Sequence, residues 1–127
     1  MTGGDRRHAR QSLGRLGEEL ARRHLETQGY RILASNYRCQ AGEVDLIAQD
    51  GECLVFVEVR LRRGDEWGTP EESVTRAKQA RLVQVAETYL AERENWDADW
   101  RIDVVALELD RRGVLQRLEV VRDAVSR

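Results

Sequence analysis

Asp45 and Glu58 stand inside two apolar runs, Glu43-Val44-Asp45-Leu46-Ile47-Ala48-Gln49 and Glu52-Cys53-Leu54-Val55-Phe56-Val57-Glu58-Val59-Arg60-Leu61. An unpaired buried charge costs several kcal/mol, which is comparable to the whole stability of an average domain. Carboxylates in such runs are compensated by a divalent cation with oxygen ligands or by a salt bridge, for which Arg60 is the nearest partner in sequence. If their face of the sheet is wet, no compensation is needed, since antiparallel pairs commonly leave one face to solvent. Ile47 and Phe56 on that same face count against a plainly wet surface. Two further groups point the same way. Glu18 lies at the edge of an apolar helical stripe, and Lys78 lies in line with Leu82 and Val85 on the inward face of a second helix. A boundary glutamate and a snorkelling lysine are the plain readings of these two. Together the set is three acids and two cations converging from two strands and two helices.

The elements that must position this set follow from periodicity. Leu13, Leu16, Gly17, Leu20, Ala21 and Leu25 gather on one side of a helix expected from about Ala9 to Gln28, with Gly29 as its stop. A first strand is read over Arg31–Tyr37. The two runs above flank Asp50-Gly51, a strong hairpin signal. With Asp50-Gly51 as the two-residue turn, Gln49 pairs with Glu52, Asp45 with Phe56 and Glu43 with Glu58. Asp45 then shares a face with Phe56, Glu58 and Arg60, and lies roughly 7–8 Å diagonally from Glu58. Val44, Leu46, Val55, Val57 and Val59 would form an apolar layer on the opposite face. Thr69-Pro70-Glu71-Glu72 has the form of a capping box and Thr75 offers a second cap, so a helix starts between 70 and 76 and runs to about Glu94. Its apolar face is Leu82, Val85, Ala86, Tyr89 and Leu90. Strands over Ile102–Leu109 and Val114–Val121 close the chain. The expected class is α/β, in the order α-β-β-β-α-β-β, with helices packed on a mixed sheet.

Composition bounds what such a set can serve. The 127 residues are 35% charged and 41% hydrophobic, which suits one domain over 1–127 with frayed ends at 1–8 and 124–127. No apolar run approaches the roughly 20 residues of a membrane span, and no secretory signal is read at the start. Cys39 and Cys53 fit no metal or redox spacing and read as reduced thiols of a cytoplasmic protein. The net charge of −2 argues against bulk attraction to nucleic acid. It hides an asymmetry, however: residues 1–40 hold eight arginines and four acids, and residues 41–75 hold nine acids and three arginines. Twenty of the 21 cations are arginine, so the single lysine, Lys78, is the more informative cation.

Gly42-Glu43-Val44-Asp45-Leu46-Ile47-Ala48 followed by Val55-Phe56-Val57-Glu58-Val59-Arg60-Leu61-Arg62 resembles the YraN-type bacterial proteins. These are placed in the restriction-endonuclease-like superfamily, near archaeal Holliday-junction resolvases. The resemblance extends over Gly17-Glu18, Gly29-Tyr30-Arg31-Ile32-Leu33, Asn36-Tyr37-Arg38, Gly68-Thr69-Pro70, Lys78-Gln79 and Arg101-Ile102-Asp103-Val104-Val105. It implies a restriction-endonuclease-like core, with Asp45 and Glu58 as metal-binding acids and Glu18 as a helix acid. Arg60 then occupies the position of the signature lysine. That is a departure, because arginine keeps its proton and cannot act as a base. Arg60 can still hold a phosphate, and Lys78 is the residue to take over the lysine role.

The expected function is a Mg²⁺- or Mn²⁺-dependent endonuclease acting on DNA, with branched DNA as a candidate substrate. Its catalytic set is Glu18, Asp45, Glu58, Arg60 and Lys78, and the resemblance implies a homodimer. Arg6, Arg7, Arg10 and Arg15 would grip the backbone, and Trp67 would stack on an exposed base. The rivals are a nucleic-acid-binding module without catalysis and a partner-binding domain whose acids pair only with Arg60 and Arg62. A glycosidase carboxylate pair ranks last, because the flanking cations suit a phosphate better.

Overall fold

The computed structural model describes residues 3–64 and 68–126, with side chains from Leu13 onward. A long helix α1 (Gly3–Thr27) leads into three strands, β1 (Arg31–Cys39), β2 (Gly42–Asp50) and β3 (Cys53–Arg63). A 3-10 turn (Glu71–Ser73) precedes α2 (Arg76–Glu92), and β4 (Trp100–Leu109) and β5 (Leu115–Val121) follow. The five strands lie in the order β1-β2-β3-β4-β5. Neighbours are antiparallel except β3 and β4, which run parallel because α2 carries the chain back across the sheet. Among the described residues no helix is long and apolar enough to cross a membrane.

The helices cover opposite faces. Ala21 and Leu25 of α1 pack on Leu46, Ala48, Val55, Val57, Val105 and Leu107. Leu82, Val85, Ala86, Tyr89 and Leu90 of α2 pack on Val44, Ile47, Leu54, Phe56, Ile102 and Val104. The run Leu54-Val55-Phe56-Val57 is therefore buried on both sides, which is why β3 reads as a continuous apolar stretch rather than as an alternation. Leu16, expected on the inward stripe of α1, is 40% exposed instead. Gly17 allows the close approach: a Cβ there would stand 3.3 Å from Leu61 Cδ1.

Both expected caps are used, by different elements. Thr69 and Glu72 form the reciprocal bonds of a capping box, Glu72 N–H to Thr69 Oγ1 at 3.2 Å and Thr69 N–H to Glu72 Oε1 at 3.3 Å, but the turn they cap is the 3-10 turn. Thr75 caps α2 itself, accepting from Lys78 N–H at 3.2 Å. The backbone of α1 is helical from Gly3 rather than from Ala9, and Ala124 N–H donates to the Ile102 carbonyl at 2.8 Å while Val125 is buried.

The hairpin register differs from the expected one. Asp50 pairs with Cys53, Ile47 with Phe56 and Leu46 with Val57, so Gly51-Glu52 is the turn. Gly51 has φ +60° and Glu52 is not in the positive-φ region, the pattern of a type II′ turn with glycine first. The carboxylate of Asp50 is held by Arg101 at 2.8 Å, which favours keeping Asp50 in the strand. Asp45 therefore does not stand across from Phe56, nor Glu43 across from Glu58. The apolar layer is also corrected: Val44 packs with Ile47 on the α2 face, whereas Leu46 lies on the α1 face. Residues three apart share a face, so the alternation breaks between them, at Asp45. β1 breaks at the same level, since Ala34 and Tyr37 both pack on the α2 side and Asn36 between them has φ +53°.

Candidate active site

The break in alternation is what positions Asp45. The β2–β3 ladder runs from Asp50↔Cys53 to Leu46↔Val57. Just beyond it the Asp45 carboxylate, not a backbone carbonyl, accepts the Val59 N–H at 2.7 Å. Asp45 thus turns toward β3 at the point where the two strands part. Glu58, one residue beyond Val57, is 4% exposed. The two carboxyl groups are within hydrogen-bonding reach of each other. The corrected register makes the pair closer than the diagonal relation read from the sequence.

Burial, and then the charge of Glu58, push the Asp45 carboxyl up to about 8, against the pull of the Val59 N–H. Two cations also reach Glu58. Lys78 Nζ, in the first turn of α2, is 3.1 Å from Glu58 Oε2. Arg60 is 3.5 Å from the same oxygen through Nη1. Arg60 Nε donates to Ser73 Oγ at 2.7 Å, and that hydroxyl donates to the Pro70 carbonyl at 2.5 Å. The 3-10 turn therefore fixes the guanidinium, and Thr75 fixes the start of the helix that carries Lys78.

Glu18 enters from α1. It lines, with Leu13, Gly17, Asp45, Arg60 and Leu61, a groove of ≈ 550 Å³. Burial raises its carboxyl above the usual range, a hydrogen bond with Asn36 lowers it, and the charge of Glu43 raises it. Among the described residues no group of three or more His, Cys, Asp or Glu side chains gathers tightly enough to hold a metal ion. The protein thus offers two adjoining carboxylates, with Glu18 further off in the same groove. Hard oxygen donors of that number suit Mg²⁺, which binds through one or two carboxylates and keeps several waters.

Of the residues expected at the site, Asp45, Glu58, Arg60 and Lys78 meet, and Glu18 borders them. Arg15 is exposed on α1 beside Glu18, in a shallow groove that also holds Glu19 and Arg22. Trp67 and the side chains of Arg6, Arg7 and Arg10 lie outside the described residues. Asn36, beside Glu18, and Ser73, which holds Arg60, join the site without being among the residues the sequence points to. Asparagine tolerates the left-handed region better than most residues, which was the available signal for a kink at Asn36. Nothing local marks Ser73, whose role comes from the fold of the Thr69–Thr75 segment.

On β4, in register with Val57, fully buried Asp103 accepts from Tyr30 Oη at 2.9 Å, from Arg101 Nε at 2.9 Å and from the Asp123 N–H at 2.9 Å. Arg101 also reaches Asp50, so this cluster ties β4 to the end of β2 and to Tyr30, just before β1.

The chain is 48% identical over 116 residues to a UPF0102 protein of Pelotomaculum thermopropionicum, covering 91% of this chain and 97% of that relative. A UPF0102 protein of Syntrophus aciditrophicus is 45% identical over 111 residues, 87% of this chain and 86% of the relative. One of Acidothermus cellulolyticus is 47% identical over 126 residues, 91% and 95% respectively. Residues 17–107 match the family as a whole. That span begins at the glycine that seats α1 and ends in β4, enclosing every described residue of the carboxylate site, and the chain belongs to the uncharacterised protein family UPF0102.

Proposed function

We propose that this protein is a divalent-metal-dependent endonuclease of the restriction-endonuclease-like type, related to the YraN-type proteins, that hydrolyses DNA phosphodiesters. The observation that carries the reading is the contact between the Asp45 and Glu58 carboxyl groups where β2 and β3 part. In the metal-free protein the two adjoining acids are compensated by a proton on Asp45 and by the cations beside Glu58, and a divalent cation with oxygen ligands can take the place of that proton. When bound, Mg²⁺ or Mn²⁺ would supply a water of lowered pKa and neutralise charge on the phosphate and leaving oxygen. Asp45 and Glu58 would hold the ion, with Glu18 acting at longer range. Arg60, fixed by Ser73, is a permanent cation suited to a phosphate oxygen rather than to proton transfer. Lys78 pairs with Glu58, where its ammonium orients that carboxylate and can donate to a phosphate. Both cysteines are free, in keeping with a cytoplasmic setting. A homodimer and a preference for branched DNA belong to the same proposal.

The test is incubation with labelled linear, single-stranded and four-way-junction DNA in Mg²⁺, Mn²⁺ or EDTA. Cutting that needs the metal and is lost in Asp45→Asn and Glu58→Gln supports the reading, and intact DNA under every condition overturns it. Arg60 at the position of the signature lysine, where it cannot act as a base, favours one alternative, a nucleic-acid-binding module without catalysis. Under it, binding persists in EDTA and Asp45→Ala leaves affinity unchanged or tighter.

A further inference from the structure

The charge around the carboxylate pair is unevenly placed. On the α1 side, the described residues lining the groove beside Asp45 include two acids, Glu18 and Asp45, and one cation, Arg60. The adjoining shallow groove balances Arg15 and Arg22 against Glu18 and Glu19. On the α2 side lies a second cleft of ≈ 500 Å³, where the β1–β2 turn meets the start of α2. Among the described residues lining it, Arg38, Lys78 and Arg81 face a single carboxylate, Glu43. Arg38 meets Glu43 at 2.9 Å, but both side chains are more than half exposed, and such a pair contributes little and opens readily. The Arg81 side chain makes no hydrogen bond or ion pair with another described residue, and it is exposed. Lys78 belongs to both places, lining the cleft while its Nζ touches Glu58.

We infer that this cleft holds the backbone phosphates of a nucleic acid that flank the phosphate at the carboxylate pair, with Arg38 and Arg81 as the two outer contacts. The inference rests on the proposed function for its ligand class. It differs from the reading of the sequence, which placed the backbone contacts on α1. Residues Lys78 and Arg81 are three apart on one helix and so present their cations side by side. Arg38 projects from β1 opposite them. Guanidinium groups suit phosphate oxygens through paired N–H donors. The cleft is separate from the metal ligands, so binding there does not require the ion.

The experiment is fluorescence anisotropy with a labelled duplex and a labelled four-way junction in EDTA, across a salt series, on full-length protein. Arg38→Ala and Arg81→Ala are each expected to weaken binding roughly tenfold and to reduce the salt slope by about 1. The α1-side pair Arg15→Ala and Arg22→Ala serves as comparison and is expected to lose less. Unchanged binding in the Arg38/Arg81 double variant overturns the inference, as does an equal loss in both double variants or no binding by the wild type at low salt. A Mn²⁺ titration of the same proteins separates the two proposals. The double variant should bind Mn²⁺ like the wild type, and a parallel loss overturns the cleft as a separate site. Wild type that binds DNA through Arg38 and Arg81 but takes up no Mn²⁺ sinks the metal reading and leaves the cleft standing.

Discussion

Asp45 must lose its proton before its carboxylate can ligate a cation, and in the ion-free protein that proton is held to a pH of about 8. Apparent metal affinity then scales with the ionised fraction. At pH 8 that fraction is about one half, and at pH 6 it is about one in a hundred. The Kd for Mn²⁺ should therefore be about fiftyfold weaker at pH 6 than at pH 8, and level off above about pH 9. Calorimetric titration in buffers of different ionisation enthalpy reads the same event as proton release. About 0.9 proton should leave per ion bound at pH 7, falling toward none above pH 9. An aspartate near its ordinary 3.8 would release essentially none at either pH. The part of the cause that comes from Glu58 is identifiable by mutation, because burial raises and the Val59 N–H lowers the Asp45 carboxyl whether or not Glu58 is charged. In Glu58→Gln the repulsion disappears, so the Asp45 carboxyl should fall and the pH dependence should shift downward. A flat affinity between pH 6 and 8, with no proton released, would refute the argument that the two acids are pressed together.

The same proton has a stability consequence of fixed sign. A carboxyl whose folded value lies above its unfolded value contributes stability below about pH 4, and that contribution is lost as pH rises through about 8. Asp45→Asn keeps an acceptor for the Val59 N–H without the charge, so it should raise the Tm of the metal-free protein at pH 8 while abolishing Mn²⁺ binding. A scanning-calorimetry Tm below wild type would contradict this. Lys78→Met leaves Glu58 with only the longer Arg60 contact, and should cost about 2 kcal/mol in urea unfolding at pH 7. In the cleavage assay it should also slow cutting roughly hundredfold or more. Asp103→Ala removes a fully buried acceptor shared by Tyr30, Arg101 and the Asp123 N–H and leaves Arg101 with only Asp50 as an anionic partner, an expected loss of roughly 3–5 kcal/mol. Tyr30→Phe, which removes the hydroxyl's bonds to Asp103 and Arg101, should cost only about 1–2 kcal/mol by the same measurement. Gly17→Val would drive a branched side chain into Leu61 and Val59 and should destabilise by about 1–3 kcal/mol, with Gly17→Ala close to neutral.

Much of the architecture is written in local pattern. The five buried positions of α2 are the five that helical spacing selects, because a helix on a sheet must bury one stripe. The strands of the carboxylate hairpin were legible as apolar runs around a glycine turn. Their pairing was not, because Asp50-Gly51 and Gly51-Glu52 are both acceptable turns locally. The choice depends on Arg101, which is 51 residues away and holds Asp50 in the strand. Moving the turn by one residue changes every cross-strand partner.

The residue types of the site, carboxylates embedded in apolar strands with cations two residues or one helix away, are a property of the sequence alone, since their desolvation cost is evident wherever the strands pack. The meeting of Asp45 with Glu58 is a tertiary result. It needs the shifted register, a left-handed Asn36 beside the kink in β2, and a Val59 N–H freed by the parting of the strands. Lys78 joins them because α2 crosses from β3 to the parallel β4 on the Glu58 face, and no local signal records that crossing. Periodicity reports which side of an element is buried; only the packed sheet decides which residues of different elements arrive at the same place.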